Sequence, residues 1–214
     1  MDLSRRALLS LRLPVPEEPP APPRPFPAPD GAPALVRALE PLAAVLREAA
    51  GETAADIPVG AHTALDALPH EDASLTALTS VLGVALTPRP RRAGRELLRV
   101  VRPGGLIALA VPTPSTLVAR TLKMAGLGGP SPLRWGDEEA LAVRLPGAHV
   151  ELRPEVVRLG FESVEAAWEA VAEPFGLSRK RYDRFADMLA AHSPGPGELG
   201  MQDRWHIVLA RTPA

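Results

Sequence analysis

The chain has 214 residues with 24 Lys+Arg against 25 Asp+Glu, a formal charge of −1, so it lacks the basic excess that nucleic-acid and membrane-surface binders use. Cysteine is absent, which removes disulfides, thiolate metal sites, iron–sulfur clusters and cysteine nucleophiles together. The composition, 46% hydrophobic and 23% charged, is that of a globular chain, and no apolar run reaches the ~18 residues of a membrane span.

At the N-terminus, Ser4-Arg5-Arg6-Ala7-Leu8-Leu9 superficially resembles an export signal, but Arg12 interrupts its apolar run and Pro14 and Pro16 end it. The expectation is a soluble, cytoplasmic protein. Ten of the 26 prolines lie between Pro14 and Pro33. Proline fixes φ and donates no backbone hydrogen bond, so this stretch reads as a polyproline-II-like tether rather than helix or interior strand. Pro19 to Arg24 contains a PxxPxR pattern that aromatic grooves can bind, although a plain linker explains it as well. The chain therefore divides into an N-terminal segment, 1–33, and an α/β domain, 34–214.

Ala34 to Glu40 is a short apolar run ending in an acid. Pro41 opens a helix with Leu42, Val45 and Leu46 on one stripe and Gly51 as its stop. Strand-like stretches follow near Val59–Leu65 and over Leu75–Val81. A helix from about Pro90 to Val101 ends at Arg102-Pro103-Gly104-Gly105. Leu106 to Val111 is a continuous apolar run, the mark of a strand covered on both faces. The remaining expectations are a helix over Glu138–Val143, an edge strand over Val150–Val157 carrying Pro154, helices capped by Ser163 and Ser178, and a closing strand Trp205–Ala210. Strand–helix alternation of this kind points to a parallel α/β sheet.

Four segments, in order, resemble the class I S-adenosylmethionine-dependent methyltransferases, in particular their small-molecule, quinone-methylase-like group. They are Ala67-Leu68-Pro69-His70-Glu71-Asp72-Ala73-Ser74, Ser80-Val81-Leu82-Gly83-Val84, Arg92 through Gly105, and Trp135-Gly136-Asp137-Glu138-Glu139. The resemblance covers roughly residues 34 to 175 and the closing strand. It implies a Rossmann-like, doubly wound, mostly parallel sheet of seven strands, with S-adenosylmethionine over the carboxyl ends of the first strands. It also implies cofactor-binding positions. Glu40 matches the acid at the end of the second strand that holds the ribose hydroxyls, and reads equally as a solvated strand-end acid. Leu65, after Ala64, lies in the loop that covers the adenine. Ser80 would lie near the methionyl part, or is simply a small buried residue.

The sequence departs from the family upstream. A Gly-x-Gly turn is expected roughly 18 to 20 residues before Glu40, but Glu17 to Arg24 is proline-dense and the first glycine is Gly31. Proline offers too few amide donors for such a turn. Ala64 and Thr76 also stand where the family has acids. The N-terminal cofactor unit therefore reads as truncated or remodelled.

Other chemistry is poorly represented. The five histidines form no HxxxH or HxH pair, no Gly-x-Ser-x-Gly elbow is present, and His70-Glu71-Asp72 reads as a solvated turn. Arg89, Arg91, Arg92, Arg95 and Arg99 read as a solvated helix face. No catalytic or metal residue is assigned. Two functions follow: a degenerate, non-catalytic partner or ligand-binding subunit, and an active enzyme methylating a small molecule. The partner is a small molecule or a protein, in a homo-oligomer or hetero-complex, with no nucleic acid and no membrane.

Overall fold

A computed structural model describes residues 33–51, 53–57, 64–127, 134–193, 195 and 199–214. The tether, the export-like start and most of the strand-like stretch near Val59–Leu65 lie outside the described residues, as do parts of the glycine-rich connection near Gly126–Pro130 and of the Pro194–Gly197 loop.

The first element is a helix, α1 (Pro33–Ala50), rather than the strand and separate helix expected on either side of Pro41. Leu35, Leu39, Leu42 and Leu46 recur at helical spacing and all four are fully buried, so one continuous apolar stripe spans the proline. A mid-helix proline forfeits a backbone hydrogen bond, at a cost of about 3 kcal/mol. Four buried leucines, each contributing roughly 1.5–3 kcal/mol, outweigh it. Gly51 stops the helix at φ +84°, donating its N–H to the Arg47 carbonyl at 2.9 Å.

A three-residue strand, β1 (Ala55–Ile57), and a 3-10 turn at Ala64–Asp66 come next. Then follow β2 (Leu75–Val81), a short α2 (Gly83–Leu86), α3 (Pro90–Val100) and β3 (Val101–Pro112). β3 begins earlier than expected: Pro103-Gly104-Gly105 is not a free turn but a bulge inside the strand. Its register against β2 jumps from Val101 to Leu106, and Gly104 takes φ +71° to absorb the extra residues. The chain continues through α4 (Leu117–Met124), a 3-10 turn at Arg134–Gly136, α5 (Glu138–Arg144) and β4 (His149–Phe161). It ends with α6 (Val164–Ala167), a π turn (Trp168–Ala172), α7 (Tyr182–His192) and β5 (Leu199–Arg211).

The described strands form one sheet in the order β1-β2-β3-β5-β4. β1, β2 and β3 are parallel, while β5 is antiparallel to both β3 and β4, so four strands share one direction and β5 alone opposes them. Consecutive residues of β2 and β3 are buried, which requires cover on both faces. One helix group supplies α1, α4 and the π turn; the other supplies α3, α5 and the two 3-10 turns. This is a Rossmann-like α/β fold with a mostly parallel sheet. Among the described strands β4 is one edge of the sheet, where Pro154 sits harmlessly among Glu151, Arg153, Glu155 and Arg158, charges that discourage a further strand.

The crossing of α3 over α5 leaves no room for a side chain at Gly94, where a Cβ would stand 2.1 Å from the Arg144 carbonyl oxygen. Gly160, by contrast, has nothing within 4 Å of its would-be Cβ. Gly94→Ala is expected to destabilise the protein by about 1–3 kcal/mol, a midpoint loss of several degrees, while Gly160→Ala stays within about 0.5 kcal/mol. Equal melting temperatures for the two variants would contradict this packing.

Candidate ligand-binding site

Open parallel sheets bind ligands outside the carboxyl ends of their strands. Here that end is built by the segment following β3. Asp203, on β5, is 1% exposed, and its two carboxylate oxygens accept from the Leu117 N–H at 3.1 and 2.9 Å, pinning the start of α4 to the sheet. Thr116 caps the same helix, its hydroxyl oxygen accepting from Ala119 N–H at 3.2 Å and its proton going to the Thr113 carbonyl at 3.0 Å. Thr113 in turn donates to the Arg204 carbonyl at 2.7 Å. Burial pushes the Asp203 carboxyl up to about 6, against the pull of the Leu117 N–H and of the Arg120 and His192 charges. Nothing in the sequence singled out Asp203, one of several polar residues in β5.

Arg120 and His192 also line a groove between α4 and α7. Its cavity of about 560 Å³ is bounded by Pro114, Arg120, Lys123, Met124, Arg181, Arg184, Met188 and His192. A neighbouring cavity of about 310 Å³ shares Arg120 and His192 and adds Ser115, Met201 and Gln202. Arg181, the residue before α7, is followed at helical spacing by Arg184, Met188 and His192 of α7, so one stripe of that helix faces the groove. Nothing in the sequence marked this stripe as facing a groove.

The structure does not bring Glu40, Leu65 and Ser80 together. Glu40 lies within α1, not at a strand end, and its exposed carboxylate pairs with Arg47. Leu65 is fully buried in the 3-10 turn that packs on α3. Ser80 is fully buried inside β2, opposite Ile57 and Leu109, and its hydroxyl has no partner. Two positions without accessible surface and one turned to solvent do not form a cradle for a nucleoside, so as arranged these residues do not fit S-adenosylmethionine. Leu82, just after β2, holds φ +65°, a conformation that costs a branched residue of order 1 kcal/mol.

Of the five arginines at α3 read as a solvated face, Arg91 and Arg95 are exposed, while Arg89, Arg92 and Arg99 make structural contacts. Arg92 donates to the Asp66 carbonyl at 3.0 Å and Arg89 pairs with the Asp66 carboxylate at 3.2 Å. Arg99 reaches the Leu68 and His70 carbonyls, Asp72 at 2.7 Å and Glu96 at 2.7 Å. The guanidinium of Arg99, with the Leu68 N–H, holds Glu96 below the usual carboxylate range despite burial. This clamp fixes the 66–72 segment on α3, and the His70-Glu71-Asp72 turn with it. Among the described residues no His, Cys, Asp or Glu cluster could hold a metal, and no helix is long and apolar enough to cross a membrane.

The family model described as a methyltransferase domain matches residues 30–109. No curated protein matches the chain. Among solved structures, a protein of Bacillus halodurans C-125 described as a methyltransferase is 14% identical, with 70% of this chain and 75% of that one covered at a TM-score of 0.48. The YcgJ protein of Bacillus subtilis is 12% identical, covering 70% and 69% at 0.48. A Haloferax volcanii methyltransferase solved with its Trm112 activator is 18% identical, covering 70% and 59% at 0.39.

Asp203 gives a pH test. Its pKa is raised from 3.8 to about 6 in the folded state, so its contribution to stability is complete below pH ~4 and is lost as pH rises through ~6. Asp203→Asn keeps an oxygen for Leu117 but cannot titrate. Relative to the parent, it should gain roughly 2–3 kcal/mol between pH 4 and pH 7 in denaturant unfolding. Parallel stability curves across that range would show that the carboxyl does not titrate as described.

Proposed function

We propose that this methyltransferase-fold protein does not transfer methyl groups and acts as a non-catalytic partner or ligand-binding subunit. The observation that supports the reading most is the position of Glu40. The acid offered by the family resemblance for the ribose hydroxyls lies on the solvent side of α1 and is engaged by Arg47. The proline-dense sequence from Glu17 to Arg24, where the family's glycine turn would fall, supports it from the other direction. The burial of Leu65 and Ser80 adds to it, since neither offers surface to a cofactor.

The alternative is an active methyltransferase acting on a small molecule, in which Glu40, Leu65 and Ser80 face S-adenosylmethionine after a rearrangement of α1 and of the 64–72 segment. Calorimetric titration separates the two. The proposed function predicts no heat with S-adenosylmethionine or S-adenosylhomocysteine up to millimolar ligand. Micromolar binding, about −8 kcal/mol, weakened at least tenfold by Glu40→Ala, would overturn it and establish the alternative.

A further inference from the structure

The groove between α4 and α7 gathers Arg120, Lys123, Arg181 and Arg184 around one cavity of about 560 Å³. Elsewhere in this molecule arginines that hold structure have carboxylate partners: Arg47 with Glu40, Arg89 with Asp66, Arg99 with Glu96 and Asp72, and Arg179 with Glu165. Arg179 is instructive because it opens the 3-10 turn, Arg179–Arg181, that leads into α7. It makes a two-pronged contact with Glu165 at 2.8 and 2.6 Å and stacks over Tyr182 at 4.2 Å. Two residues further on, Arg181 faces the groove and makes no ion pair among the described residues, and the same holds for Arg184, Lys123 and Arg120. Arg120 donates its Nε–H only to the Ser115 carbonyl, at 2.9 Å.

Four like charges sharing one concavity repel one another, and each supplies donors that no protein acceptor uses. The acids of α7, Asp183 and Asp187, do not line the cavity. The nearest buried counter-charge is Asp203, one carboxylate against four cations. In a chain of net charge −1, so local a surplus is a feature of the groove and not of the composition. Met124 and Met188 give it a soft apolar wall, and Ser115 and Gln202 supply uncharged hydrogen-bonding groups in the adjoining cavity.

We infer that this groove is a binding site for a small molecule carrying two or more negative charges, as phosphate or carboxylate groups, with its uncharged part against Met124 and Met188. None of its lining residues is Glu40, Leu65 or Ser80, so the site stands whether or not S-adenosylmethionine binds. Guanidinium groups recognise both phosphate and carboxylate through paired N–H donors, which is the shared chemistry.

The test titrates the full chain with tripolyphosphate and, separately, with citrate, at low and at physiological salt. The variants are Lys123→Gln/Arg184→Gln and, as control, Arg37→Gln/Arg95→Gln. All four positions are exposed, so folding is preserved, and circular dichroism verifies it. The expected result is 1:1 binding of at least one probe, weakened tenfold or more by the groove pair, weakened less than threefold by the control pair, and falling with salt. Tripolyphosphate alone binding identifies a phosphate site, and citrate alone a carboxylate site. No binding of either probe, or equal losses in the two variants, overturns the inference.

Discussion

The cover required by β2 and β3 is the constraint from which most of this structure follows. Strands buried at successive positions need an apolar layer on each face, and α1 supplies much of one layer through Leu35, Leu39, Leu42 and Leu46. Once those four face the sheet, the rest of the helix has no freedom. At 100° per residue Glu40 falls about 130° around the axis from the centre of the stripe. Its carboxylate must therefore face solvent, where Arg47, seven residues on, is within reach. The same phase that builds the core removes Glu40 from a cofactor-facing position.

The other face depends on polar contacts as well as apolar ones. The 64–72 segment has no regular structure beyond one 3-10 turn, and arginines at helical spacing on α3 hold it down by reaching its carbonyls and carboxylates. Partly exposed ion pairs of this kind are individually worth little. Arg99, however, satisfies two backbone carbonyls and two carboxylates at once, so the segment is fixed by geometry more than by charge. Positional precision, not energy, is what this network contributes.

Periodicity and turn chemistry made the central α/β layer legible: β2 matches the expected Leu75–Val81, and α3, α5 and the closing strand lie where the pattern placed them. The misreading at α1 came from weighting Pro41 as a helix start, when the leucine spacing on both sides of it was the stronger signal. The misreading at Gly104-Gly105 came from treating a glycine pair as a loop; tertiary pairing turned it into a bulge. The groove was not legible at all. It takes Arg120 and Lys123 from one helix and Arg181 and Arg184 from another about 60 residues away, a juxtaposition that only the return of β5 between β3 and β4 creates. Asp203 was invisible for the same reason, since its partner is a backbone N–H on Leu117.

Asp203 ties these observations together. Its carboxylate holds the first turn of α4 in place, and α4 then carries Arg120, Lys123 and Met124 to the groove. The same carboxylate feels Arg120 and His192, which lower its pKa against the burial that raises it. A positive groove thus offsets part of the cost of ionising a buried acid whose oxygens anchor the helix that bears half of the groove. Neutralising the groove with an anion withdraws part of that support and shifts the Asp203 carboxyl further upward. Structure and surface charge are coupled through one residue.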